Sequence, residues 1–143
     1  AYGTRPEAMA ARYRLGVYLP HGVPLLHLGM RDLPKTFLLR LGPAAVDWPI
    51  LPGEWMHNLL PPLSVEEWDY LSARIEDMRE GEWMRIDYTP DHGTLIRIEG
   101  EPVLGHAGHA LFAGFVRIWL GATPASDALK RDLLDSAASL EPY

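Results

Sequence analysis

Two short runs, MRIDYT (residues 84–89) and TLIRIE (94–99), alternate apolar and polar side chains without a break, and only Pro90-Asp91-His92-Gly93 separates them. A period of two turns one face of each run toward a core and the other toward solvent. A four-residue link holding Pro and Gly then reverses the chain, which makes a β-hairpin. The hairpin commits the protein to an antiparallel sheet whose apolar face something must cover. Glu101–Leu104, beyond a turn at Gly100, adds a short third strand.

Upstream, Tyr13, Leu15 and Val17 alternate with Arg12, Arg14, Gly16 and Tyr18, so residues 11–18 read as a strand with one polar face. His21-Gly22-Val23-Pro24 turns the chain. PLLHLGMR (24–31) and KTFLLRLG (35–42) are strand-like, with Asp32-Leu33-Pro34 between them. Pro43, Pro49, Pro52, Pro61 and Pro62 break up the next stretch and leave room for one short helix near Gly53–Leu60.

The cover comes from helices. Ser64 followed by Glu67 is a capping box, in which each side chain satisfies the other residue's free backbone N–H. Val65, Trp68, Leu71, Ile75 and Met78 then recur every three or four residues, an amphipathic helix of about four turns with Gly81 past its end. From about His106 to Leu120 the chain is apolar nearly all round and reads as a buried helix, with Gly121 as a left-handed cap. Thr123-Pro124 starts another helix through about Ser136. Runs of strand kept apart from runs of helix predict an α+β fold, an antiparallel sheet with helices on one face. At 143 residues this is one domain, long enough to bury roughly two-thirds of its unfolded surface.

Charge and composition narrow the function classes. The net charge of −6 argues against a nucleic-acid partner, although residues 1–42 carry +4 and the remainder −10. Basic N-terminal strands facing acidic helices account for that split. The densest apolar run, ALFAGFVRIWLGA, is interrupted by Arg117 and falls short of the ~20 residues of a membrane span. Absence of cysteine excludes a disulfide framework and a thiol nucleophile. The chain opens at Ala1 with neither Met nor leader, as a mature or trimmed chain would.

Few residues point to chemistry. His106 and His109 are three apart, but no third ligand has a supporting spacing, so no metal is expected. Glu66-Glu67 and Glu76-Asp77 fall on a helix exterior, GxSxG is absent, and Ser64, Ser72, Ser126 and Ser136 have helix contexts, so covalent catalysis is disfavoured. His57-Asn58, in the Pro-rich segment, are candidates for a cavity mouth. Arg117, in an otherwise apolar helix, must reach solvent or meet an acid.

Gly3-Thr4-Arg5, Tyr13 with LGVYLP (15–20), Asp32-Leu33-Pro34-Lys35, the stretch GEWMRIDYTPDHGTLIRIEG (81–100) and RIWLGATPASDALKRDLL (117–134) together resemble the chalcone isomerase-like family, in its bacterial branch. The resemblance implies an open-faced β-sandwich, a long antiparallel sheet beneath a helical layer with a ligand cleft between them. In the family's plant enzymes an arginine on an early strand stabilises an oxyanion as a chalcone closes to a flavanone. A strand threonine and a helix tyrosine hold the ketone through water, and an asparagine with a serine or threonine reads a ring hydroxyl. Arg5 matches the arginine, Tyr13 falls at the threonine, Trp55 near the tyrosine and Ile118 at the serine or threonine.

The anion-reading end is thus kept and the hydroxyl-reading end is apolar, as in the family's plastid fatty-acid-binding members. The resemblance implies a non-catalytic protein that binds a fatty acid or similar small apolar carboxylate without a cofactor. Arg5 and Tyr13 would hold the head group, and Leu15, Val17, Trp55, Phe112, Phe115, Ile118 and Trp119 would form the wall. The alternative it implies is a weak intramolecular lyase acting on a flavonoid-like ligand, with Arg5 and Tyr13 as catalytic residues. Bacterial relatives are commonly exported, which implies a periplasmic or secreted location.

Overall fold

The computed structural model describes residues 2–4, 7–9, 13–42, 53–121, 129–131 and 133–134. In chain order these give β1 (Tyr2–Thr4), β2 (Glu7–Met9), β3 (Tyr13–Pro20), β4 (Lys35–Leu41), α1 (Gly53–Leu59), α2 (Val65–Glu76), β5 (Trp83–Thr89), β6 (Gly93–Ile98), β7 (Glu101–His106) and α3 (Ala110–Leu120). The strands form one antiparallel sheet in the order β1-β3-β4-β5-β6-β7, and β2 also pairs with β3. This is the α+β open sheet with a helical layer that the sequence predicts.

Register follows from the alternation. Val17 pairs with Phe37, Phe37 with Ile86, Ile86 with Ile96, and Ile96 with Leu104, so one row of apolar residues crosses five strands. Leu15, Leu39, Met84 and Ile98 form the next row. α3 lies over these rows, with Phe112 stacked on Phe37 at 4.9 Å and Trp119 edge-on to it at 4.8 Å. The opposite face is polar: Arg85 and Arg97 both pair with Asp87, at 2.9 and 3.2 Å. One buried and one solvated face is the usual outcome for such a sheet.

Both halves of the Ser64–Glu67 capping box form, and Leu71 and Ile75 carry the buried face of α2. The helix ends at Glu76, with Asp77 as its C-cap, so Gly81 (φ +87°) serves the turn into β5 and not the helix end. Three further expectations are corrected. Residues 24–31 form no strand: Leu25–His27 is a single 3₁₀ turn, because the carbonyls of Leu28 and Met30 bend back to a lysine ammonium described below. His106 closes β7, paired with Thr94, and α3 begins only at Ala110. Gly121 is extended (φ −74°), and a Cβ there would lie 2.5 Å from the Arg117 carbonyl, so close approach and not left-handed backbone demands glycine.

The helix expected over Pro124–Ser136 is described at 129–131 and 133–134, where Leu129 and Leu133 are fully buried; its other positions lie outside the described residues. α1 crosses α3 at Gly114, where an added Cβ would meet the Asn58 carbonyl oxygen at 2.8 Å and Leu59 Cδ2 at 2.9 Å. Gly114→Ala is therefore expected to destabilise the fold by about 1–3 kcal/mol, since backbone cannot yield as a side chain would. Urea unfolding reads this directly, and an unchanged midpoint would mean that α1 can slide.

Candidate functional site

β4 sets the scale. Its last residue, Leu41, pairs with Tyr13, and its first, Lys35, pairs with Tyr88. α3 runs across the same span, with Trp119 near its C-terminal end and His109 capping its start. Polar side chains enter an otherwise apolar layer at both of these ends.

At the Tyr13 end, β3 points Tyr13, Leu15 and Val17 inward by strand alternation, and all three are buried. The Tyr13 hydroxyl accepts a hydrogen bond from Trp119 Nε1–H at 3.0 Å. α1 contributes Trp55, whose ring stands edge-on to Tyr13 (6.4 Å), Trp119 (5.4 Å) and Phe115 (5.9 Å). Trp55 has no exposed surface, and its indole N–H is the one buried side-chain donor without a hydrogen-bond partner among the described residues. A desolvated donor left unpaired costs about 1–3 kcal/mol.

The structure brings together Tyr13, Trp55, Phe115 and Trp119, with Leu15, Val17, Phe112 and Ile118 fully buried around them. Phe37, not among the expected wall residues, joins this cluster through Phe112 and Trp119. His57 is exposed on α1, and the backbone carbonyl of Asn58 faces Arg117. Arg5 lies outside the described residues. One hollow lies at the start of α3 and another on the outer sheet face beside Tyr18, Thr36, Leu38 and Arg85.

The other end holds what the sequence reading missed. Lys35 is fully buried, and its Nζ donates to the carbonyls of Leu28 and Met30 at 2.5 and 2.6 Å. Its third neighbour is His109 Nε2 at 2.6 Å. An ammonium has no lone pair, so the lysine donates and the imidazole nitrogen accepts. The rings of Tyr88 and Phe112 lie 5.0 and 5.1 Å from the ammonium. Burial lowers the Lys35 pKa to about 8 against the opposing pull of Asp32. Burial, then the charges of Lys35 and Arg31, lowers that of His109 to about 4. One sequence signal could have found this: Lys35 shares its parity with Phe37, Leu39 and Leu41, which places a charge on the buried face of a strand.

The two candidate metal histidines go separate ways. His106 Nε2–H donates to Glu67 at 2.9 Å, holding that carboxyl below its usual range, second to the Ser64 backbone N–H. Among the described residues no group of three metal-ligating side chains forms, and no helix is long and apolar enough to cross a membrane. Arg117 reaches solvent and its Nη2 donates to the Asn58 carbonyl at 3.4 Å.

Residues 64–135, half of the chain, match a family model described as chalcone isomerase-like. No curated protein sequence matches. Among solved structures the chain is similar to a fatty-acid-binding protein of Arabidopsis thaliana, at 17% identity and a TM-score of 0.56, over 96% of this chain and 86% of that one. At that identity the likeness carries the fold.

Proposed function

Since the chain belongs to the chalcone isomerase-like family, we propose that it is a non-catalytic binding protein for a small apolar carboxylate such as a fatty acid. Arg5, the Tyr13 hydroxyl and the Trp55 indole N–H would hold the head group. The observation that carries this reading is the unpartnered Trp55 donor in the same ring cluster as the Tyr13 hydroxyl. A carboxylate oxygen would satisfy that donor and accept from a guanidinium, which are charge-assisted bonds of about twice the usual strength. The surrounding Leu15, Val17, Phe112, Phe115 and Ile118 suit an alkyl body and offer no hydroxyl for a second polar end. The fatty acid in the name of the Arabidopsis protein supports the same ligand class.

Because the described wall residues are closely packed, an alkyl chain enters only as rings turn aside, so association should be slow for so small a ligand. Calorimetry with decanoate is expected to show one saturable site in the wild type. Affinity should fall at least tenfold in Arg5→Ala and in Trp55→Phe, and hold in Arg79→Ala, an exposed arginine far along the chain. Decanoate that binds Arg5→Ala as it binds the wild type would overturn the head-group assignment, and no binding by the wild type would overturn the function.

A further inference from the structure

We propose that the groove at the start of α3 is a second ligand site, for a small aromatic carboxylate, independent of the one at Tyr13. The groove has a volume of about 700 Å³ and is lined by Arg31, Arg117, His109, Tyr88, Pro61 and Pro62, with small residues of α3 between them. That volume falls in the range of ligand pockets, roughly 300–1,000 Å³. Two arginines line it and, among the described residues, no acid does, in a chain of net charge −6. The chemistry is that of an anion site.

The buried lysine sets the donors of this groove. All three Lys35 protons are committed, two to backbone carbonyls and one to His109 Nε2. With Nε2 accepting, a neutral His109 must carry its proton on Nδ1. That N–H has no hydrogen-bond partner among the described residues, and His109 lines the groove. The Arg31 backbone is pinned on both sides, by Tyr88 O–H on its own carbonyl at 2.6 Å and by Lys35 on the carbonyl of Met30. Arg117 spends one nitrogen on the Asn58 carbonyl. Two arginines, one anchored through its backbone and the other through Nη2, and a neutral N–H fit a carboxylate, while the proline rings and alanines offer flat apolar contact for an aromatic body.

The site is separate from the Tyr13 end. Lys35 and Leu41 open and close β4, which sets the two ends about 20 Å apart at roughly 3.3 Å per residue. The probe is 1-naphthoate, followed by calorimetry and by ¹⁵N spectra of the imidazoles. Naphthoate is expected to bind saturably to the wild type and shift the His109 Nδ1–H signal, and neutral 1-naphthylmethanol is expected not to bind. Affinity should fall at least tenfold in the Arg31→Gln/Arg117→Gln double variant, whose substitutions are both at exposed side chains. It should be unchanged in Arg5→Ala and in the presence of decanoate. Absence of saturable binding, equal binding by the double variant, loss in Arg5→Ala, or a His109 proton found on Nε2 would each overturn the assignment. None of these outcomes depends on whether decanoate binds.

Discussion

Lys35→Met will cost the fold about 3 kcal/mol, a large share of the ~5–15 kcal/mol typical of a domain. The substitution keeps the length and apolar body of the side chain and removes only the ammonium. It strands the carbonyls of Leu28 and Met30 and the Nε2 of His109. Each orphaned buried acceptor costs about 1–3 kcal/mol, but Met30 is exposed and its carbonyl can turn to water. Relief of the desolvated charge offsets a further part, so the net falls below the sum.

The pH dependence has a definite sign. The folded-state pKa of Lys35, about 8, lies below its ordinary 10.5. Between those values the unfolded chain holds a proton that the native one has released, so this group makes stability rise with pH across the window. The deficit of Lys35→Met relative to wild type should therefore be larger at pH 9.5 than at pH 7.5, as read by urea unfolding. A deficit under about 1 kcal/mol, or one that shrinks with pH, would mean that the ammonium is not buried as described.

His109 makes the acid side of the same cluster fragile. Burial first, then the Lys35 and Arg31 charges, hold its pKa near 4 in place of 6.5. The unfolded chain takes up a proton in that interval which the native one refuses, so stability falls as pH drops from about 6.5 to 4. The loss is on the order of 2 kcal/mol, less than the full shift implies, because the ring is partly exposed. Glu67, its carboxyl held below the usual range first by the Ser64 backbone N–H and then by His106, also gives up stabilisation as the pH falls, so the reference is His109→Gln, whose unfolding midpoint should change less over the same range. In Lys35→Met the neighbouring charge is gone, the imidazole is easier to protonate, and the acid sensitivity should shrink. Two variants that each flatten the profile, without adding when combined, would place the effect on the pair.

The parts of this fold that were legible are those where local and global preferences agree. The hairpin of β5 and β6 has strict alternation and a turn that permits one pairing, and the Ser64–Glu67 box fixes the start of α2 from four residues. The misread segments are those whose backbone answers to distant groups. Residues 24–31 are apolar enough for a strand, but a lysine several residues later captures two of their carbonyls. His106 looked helical beside the apolar run, yet its ladder with Thr94 and its bond to Glu67 keep it in β7. At the Tyr13 end the residue types were readable, and the closeness of Trp55 to Tyr13 and Trp119 was not, because α1 and α3 meet only in three dimensions. The Lys35 cluster was hidden for the same reason: its partners come from positions 28, 30 and 109.

The central claim is that the Trp55 indole N–H waits for an anionic acceptor. The chain has five tryptophans, so indole ¹H–¹⁵N spectra are simple, and Trp55→Phe identifies the resonance by its loss. Titration with decanoate should move that signal downfield, saturably, in the wild type and not in Arg5→Ala. A Trp55 indole signal that stays in place at saturating decanoate would contradict the account.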